Sequence, residues 1–226
     1  MKEKAQQRYS SSCPPSLSHR QWNSAAHKIL KVFGIFCYSV DIMNEKEQLV
    51  AAIKKHSFQR SEKPIYRLTS GNMSCFYFDL KKTTYSPDGQ CLIGNLVFEK
   101  IIELGLRPKG IGGLTMGADP VALATAYTSY LRNKPIEAIV IRKEPKGHGT
   151  MSQIEGNVSA GDAVIILDDV VTTGGSTIKA IEAAQKAGLQ ILAVFILLDR
   201  CEFDGRQNIE RLGYPVYSLL TIKDFE

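Results

Sequence analysis

The stretch Val164, Ile165, Ile166, Leu167, Asp168, Asp169, Val170, Val171, Thr172, Thr173, Gly174, Gly175, Ser176, Thr177 decides the fold. Four consecutive bulky apolar residues, 164–167, predict a strand covered on both faces, as in a parallel sheet. Two acids follow, then hydroxyl residues and glycines that lead into a helical pattern over 176–187. Strand, tight loop and helix in that order make a binding device. Open α/β sheets hold ligands outside the carboxyl ends of their strands. Gly174 and Gly175 permit the sharp turn, and the free amides of the helix start favour an anion, phosphate above all. Adjacent carboxylates at a strand end are costly unless solvated or paired. The motif therefore sets acceptors for hydroxyls or metal beside donors for phosphate. A Walker A loop is excluded, because the Gly-Lys-Ser/Thr ending is missing. The balancing cation must come from elsewhere, with Lys143, Lys146 and a bound Mg²⁺ as the natural sources.

Outward from this motif, strand and helix alternate. Strands are expected at 111–115, 138–141, 163–167, 191–198 and 216–219, with helices at 120–131, 176–187 and 206–212. The repeat is βαβ, which implies right-handed crossovers and a parallel sheet with helices on both faces. Toward the N-terminus, Asn44 caps a helix over 45–56 that places Leu49, Val50 and Ile53 on one face. Residues 65–70 and 74–80 read as two short strands around Gly71 and Asn72. Ser86, Pro87, Asp88 and Gly89 read as a turn. A helix carrying Leu92, Ile93, Leu96, Ile101 and Leu104 then ends near Gly105.

Two further loops fall at expected strand ends. Gly112, Gly113, Leu114, Thr115, Met116, Gly117, Ala118 and Asp119 form a glycine-rich turn in which Asp119 can cap the helix starting at Pro120. By itself this is as consistent with a plain tight turn as with phosphate binding. Arg142, Lys143, Glu144, Pro145, Lys146, Gly147, His148, Gly149 and Thr150 gather three cations and a histidine. A solvated charge run is the ordinary account of such a loop. A basic segment of this length in an α/β domain is uncommon unless it covers a site, and it suits a polyanion.

A chain of 226 residues can bury one substantial core. Its net charge of +5 is uneven, since six cations against two acids in residues 1–42 account for +4. The rest carries too little positive charge to indicate a nucleic-acid surface. Cys13, Cys37, Cys75, Cys91 and Cys201 are widely spaced and contain no CxxC pair, which fits reduced cytosolic thiols and no structural zinc. Residues 1–42 are rich in Ser, Pro and cations, and their apolar patch over 29–40 is too short to span a bilayer. This segment is expected to be a poorly ordered or non-native extension ahead of Met43, dispensable for folding and activity on deletion. A cytoplasmic location follows, with an organelle as the alternative if residues 1–42 act as a transit peptide.

Residues 164–177 resemble the signature with which type I phosphoribosyltransferases bind 5-phosphoribosyl-1-diphosphate (PRPP), and Arg142, Lys143, Lys146, His148 and Gly149 resemble the catalytic loop of the orotate-using members. The resemblance implies a five-stranded parallel sheet flanked by helices over 43–226, with a small hood at about 44–85. It implies transfer of the 5-phosphoribosyl group from PRPP to orotate, with Mg²⁺ held mainly through PRPP and water. It also implies a homodimer whose basic loop serves the neighbouring subunit, and neither nucleic-acid nor membrane partners. Asp168 and Asp169 would face the ribose hydroxyls, and the run Val170, Val171, Thr172, Thr173, Gly174, Gly175 and Ser176 would hold the 5-phosphate end of PRPP. Arg142, Lys143, Lys146 and His148 would close over the pyrophosphate, and Thr172 and Arg200 would contact orotate. Lys143, Lys146, His148, Asp168 and Asp169 are thus the catalytic candidates. Many relatives carry lysines where this chain has Thr69 and Met116. A purine phosphoribosyltransferase and a non-catalytic PRPP-sensing regulator share the fold. The first need not keep the basic loop in this form, and the second needs a basic surface or an added module.

Overall fold

The computed structural model describes residues 44–68, 71–144 and 153–226. In chain order the elements are α1 (Glu45–His56), β1 (Phe58–Arg60), β2 (Tyr66–Arg67), β3 (Met73–Ser74), β4 (Phe76–Phe78), α2 (Lys81–Thr84), α3 (Pro87–Glu103) and β5 (Gly110–Leu114). There follow α4 (Asp119–Leu131), β6 (Glu137–Ile141), β7 (Ile154–Glu155), β8 (Ala163–Val171) and α5 (Gly175–Lys186). The chain closes with β9 (Gln190–Asp199), α6 (Gly205–Glu210), β10 (Val216–Thr221) and a 3₁₀ turn (Ile222–Phe225).

The central sheet runs β10-β9-β8-β5-β6-β7. Its first five strands are parallel, as the βαβ pattern predicts, and β7 adds a short antiparallel edge to β6. Alternation along the central strands fills two separate cores. On one side Ile165, Leu167, Phe195 and Leu197 pack with Ile53, Val97, Phe98 and Val121 from the helices α1, α3 and α4. On the other, Val164, Ile166, Val194 and Ile196 pack with Ala180, Ile181 and Ala184 of α5 and Ile209 of α6. Both parities are therefore apolar, which is why these strands read as unbroken hydrophobic runs. Each such side chain contributes about 1.5–3 kcal/mol relative to exposure.

Several local expectations are corrected. Ser86 to Gly89 is a helix start rather than a free turn: the Ser86 hydroxyl accepts from the Gly89 amide at 3.1 Å, and Pro87 occupies the first helical position. Residues 74–80 do not form one strand. The chain breaks at Cys75, so β3 pairs with β2 and β4 pairs with β1, a strand that the pattern did not reveal. These short pairs make up the hood region. Phe58, Phe78 and Phe225 hold it to the C-terminal 3₁₀ turn, with ring centroids 4.9–5.5 Å apart. The sheet's other edge, β10, is met by Arg206, whose Nη2 donates to the Val216 carbonyl at 2.7 Å.

Candidate active site

The site begins where β8 outlasts its apolar run. The strand continues through both acids to Val171, pairing Asp168 with Ile196 and Val171 with Asp199. A loop was expected directly after Leu167, and the four-residue extension changes the acids' roles. Neighbouring residues of a strand face opposite sides, so Asp168 takes the α5 side and Asp169 the other. Asp168 is 5 % exposed. Its Oδ2 accepts from the hydroxyls of Ser176 at 2.7 Å and Thr177 at 2.6 Å, and its Oδ1 from the Asp169 amide at 3.1 Å. Burial, reinforced by the neighbouring Asp169, pushes the Asp168 carboxyl up to about 7. Asp169 lies against the glycine-rich loop, where a Cβ on Gly117 would overlap its carboxylate. Burial raises its pKa too, while the Val170 amide and the Lys81 ammonium favour the ionised form.

The following loop is shaped for an anion. Gly174 adopts φ +81°, and a Cβ there would lie 2.8 Å from the Gly205 carbonyl oxygen. Asn208 Nδ2 donates to the Thr173 carbonyl at 3.1 Å, so α6 buttresses the loop from behind. No side chain caps α5 and no acid sits in its first turn. The N-cap is Gly174, which has no side chain, and the first-turn hydroxyls of Ser176 and Thr177 donate to Asp168. A first turn whose amides have no side-chain cap, at the positive end of a twelve-residue helix, is chemically suited to an anion such as phosphate.

At the end of β5 the Thr115 hydroxyl donates to Asp119 Oδ2 at 2.6 Å, and Ala118 takes the N-cap position that was expected of Asp119. Met116 is exposed beside Gly117. The basic loop departs from the end of β6, and its described stem is closed by backbone. The Arg142 amide donates to the Gln153 carbonyl and Gln153 Nε2 to the Arg142 carbonyl, each at 2.8 Å, while the Arg142 guanidinium pairs with Glu155 at 3.5 Å. Lys143 is exposed. Lys146, His148 and Gly149 lie outside the described residues, as does Thr69.

Arg200 follows β9, and its amide donates to the Val171 carbonyl at 3.2 Å, which sets it beside Thr172. Its guanidinium is buried under the hood. Nε donates to Glu202 Oε2 at 2.7 Å, and Nη2 to the Ser74 hydroxyl at 3.0 Å and the Phe76 carbonyl at 2.9 Å. The Phe78 ring lies 5.4 Å from the guanidinium carbon. The structure thus brings Asp168, Asp169, Thr172 to Ser176 and Arg200 together at the carboxyl ends of β8 and β9. Sequence reading missed Ser74, Glu202 and Lys81. Glu202 had a signal, an acid two residues after a buried strand's terminal arginine. Ser74 had none, because the side chains it bonds, Arg200 and Glu202, are more than 120 residues away.

A doubly covered parallel sheet with an anion loop beyond its central strand is common to several nucleotide- and phosphate-binding folds, and the family model "Phosphoribosyl transferase domain", which matches residues 35–226, places this chain among the phosphoribosyltransferases. That match starts eight residues before Met43. An orotate phosphoribosyltransferase of Aquifex aeolicus is 45 % identical over 183 residues, covering 81 % of this chain and 98 % of the relative. One from Sorangium cellulosum is 39 % identical over 184 residues, covering 80 % and 93 %. The crystal structure of Mycobacterium tuberculosis orotate phosphoribosyltransferase in complex with PRPP aligns at TM-score 0.66 and 30 % identity, over 80 % of this chain and 98 % of that one. The chain belongs to the orotate phosphoribosyltransferase family.

Proposed function

We propose that this protein transfers the 5-phosphoribosyl group of PRPP to N1 of orotate, giving orotidine 5′-monophosphate and pyrophosphate in UMP biosynthesis. The observation that carries this reading is the first turn of α5, without a side-chain cap, set beside Asp168, Asp169 and Arg200. Rupture of the anomeric C–O bond develops positive charge on the ribose and negative charge on the departing pyrophosphate, so the site must stabilise both and exclude water. The amides of the loop and α5 would anchor the 5-phosphate. Asp169 would face the ribose hydroxyls and the developing oxocarbenium charge, while Asp168, on the opposite side of the strand and bonded to Ser176 and Thr177, would shape the turn that receives the phosphate. Arg142, Lys143, Lys146 and His148 would enclose the pyrophosphate, with His148 chiefly in binding. Thr172 and Arg200 would receive the base and its carboxylate. Mg²⁺ fits this donor set, because a small ion that keeps its waters is held through substrate phosphates near one or two carboxylates, and it would supply neutralisation of the pyrophosphate.

A homodimer sharing the basic loop is part of the same proposal. Leu123, Tyr127, Tyr130 and Leu131 expose an apolar stripe along α4, with Tyr130 72 % exposed, and such a stripe favours burial against a second copy. No helix among the described residues is long and apolar enough to cross a membrane, and we assign the protein to the cytoplasm. The deciding experiment is spectrophotometric: the purified protein should consume orotate absorbance in the presence of PRPP and Mg²⁺. Turnover of a purine base with none of orotate would overturn the assignment. Mixing Lys143→Ala with Asp169→Asn subunits in the same assay should restore activity through hybrid dimers. No recovery despite subunit exchange would count against the shared loop.

A further inference from the structure

We propose that Glu202 is a positioning residue for base recognition, fixing Arg200 and Ser74 in the orientation that selects a base bearing a carboxylate. The inference rests on the orotate reading above and concerns a residue to which that reading gives no role. Glu202 makes contact at both oxygens: Oε2 accepts from Arg200 Nε at 2.7 Å and also meets Nη2, while Oε1 accepts from the Ser74 hydroxyl at 2.5 Å. Ser74 closes the ring by accepting from Arg200 Nη2 at 3.0 Å. Each hydrogen in this ring has an assigned direction, so the guanidinium plane is determined rather than free to rotate. Of its five N–H donors, the one on Nε and the two on Nη2 serve Glu202, Ser74 and the Phe76 carbonyl. The pair on Nη1 is not among them, which leaves that nitrogen to donate to an oxygen of a carboxylate.

Two features support a positioning role over a merely structural ion pair. Arg200 is 2 % exposed, so its charge needs a fixed counter-ion before substrate arrives, and Glu202 is the carboxylate in contact with it. Between the two lies Cys201 at φ +52°, a strained conformation for a residue with a Cβ, held by the Cys201 amide donating to Asp199 Oδ1 at 2.9 Å. That turn is what brings the Glu202 carboxylate back onto the side chain two residues earlier.

The test is steady-state kinetics of Glu202→Gln, which keeps the shape and removes the charge. The Michaelis constant for orotate should rise about tenfold, while kcat and the constant for PRPP stay within about twofold. Glu202→Asp should fall between the variant and the wild type. Ser74→Ala keeps the ion pair, serves if the first variant does not fold, and should raise the orotate constant about threefold. An unchanged orotate constant in a folded variant, or equal rises for both substrates, would overturn the proposal. If the wild-type protein does not turn over orotate at all, the functional reading fails before any variant is compared.

Discussion

The two ends of the site are built in different ways. The end proposed for phosphate and ribose is one unbroken run, Asp168 to Thr177, in which strand, turn and helix follow directly and Asp168 bonds residues eight and nine positions on. The end proposed for the base is assembled from Ser74 and Phe76 on the short N-terminal strands and Arg200 and Glu202 beyond β9, across separations of 124–128 residues. The first is local and takes its shape from backbone and short-range hydrogen bonds. The second exists only after the sheet has formed and the hood has closed on it. Damage to the local end should therefore read as lost ligand affinity, and damage to the assembled end as lost stability together with lost base recognition.

Arg200→Met puts this contrast under the greatest load. It leaves the Glu202 carboxylate and the Phe76 carbonyl without their guanidinium, and breaking such a pair costs about 2–4 kcal/mol when one partner keeps some solvent. Calorimetry should show Tm lower by on the order of 10 °C for a chain of this size. A native Tm would mean that other contacts fasten the hood.

Asp168→Asn tests the local end through pH. The folded protein keeps the Asp168 proton up to about 7, whereas the unfolded chain releases it near the usual carboxylate value. Wild-type stability should therefore decline as pH rises from about 4 to 7 by this group's contribution, and the variant should lack that decline. The variant's advantage over wild type should grow by up to about 1.4 kcal/mol per pH unit across the window and level off above it. Parallel denaturation curves for the two proteins at pH 5 and pH 7 would show that Asp168 is ionised in the fold.

The smallest effect is expected for Gly174→Ala. A left-handed residue with a Cβ facing the Gly205 carbonyl should cost about 1 kcal/mol of folding stability, and because the turn must shift to admit the Cβ, titration calorimetry should also show weaker PRPP binding. The orotate constant should change little, and equal weakening of both substrates would erase the distinction between the two ends.

Legibility in the sequence follows the same division. The five parallel strands and the strand, turn and helix that follow 164–167 could be read because each depends on residues close together in the chain. The run 164–167 announced its burial on both faces because both parities are apolar. The same run hid the strand's extension, since acids end a hydrophobic pattern without ending a ladder, and so it also hid that Asp168 and Asp169 face opposite sides. Ser86 to Gly89 was ambiguous because the residues that favour turns also favour helix starts. The pairing of β1 with β4, and the bonds of Arg200 to Ser74 and Phe76, depend on distant partners and left no local trace.

The sheet's margins have a consequence for behaviour at high concentration. An open parallel sheet invites another chain to add a strand at its edge. Here β7 offers only two residues at one margin, and at the other the Arg206 guanidinium already occupies the Val216 carbonyl. Among the described residues both margins are blunted in these ways, so removing the Arg206 side chain should open a template for aggregation at a point remote from the acids and the loop after β8.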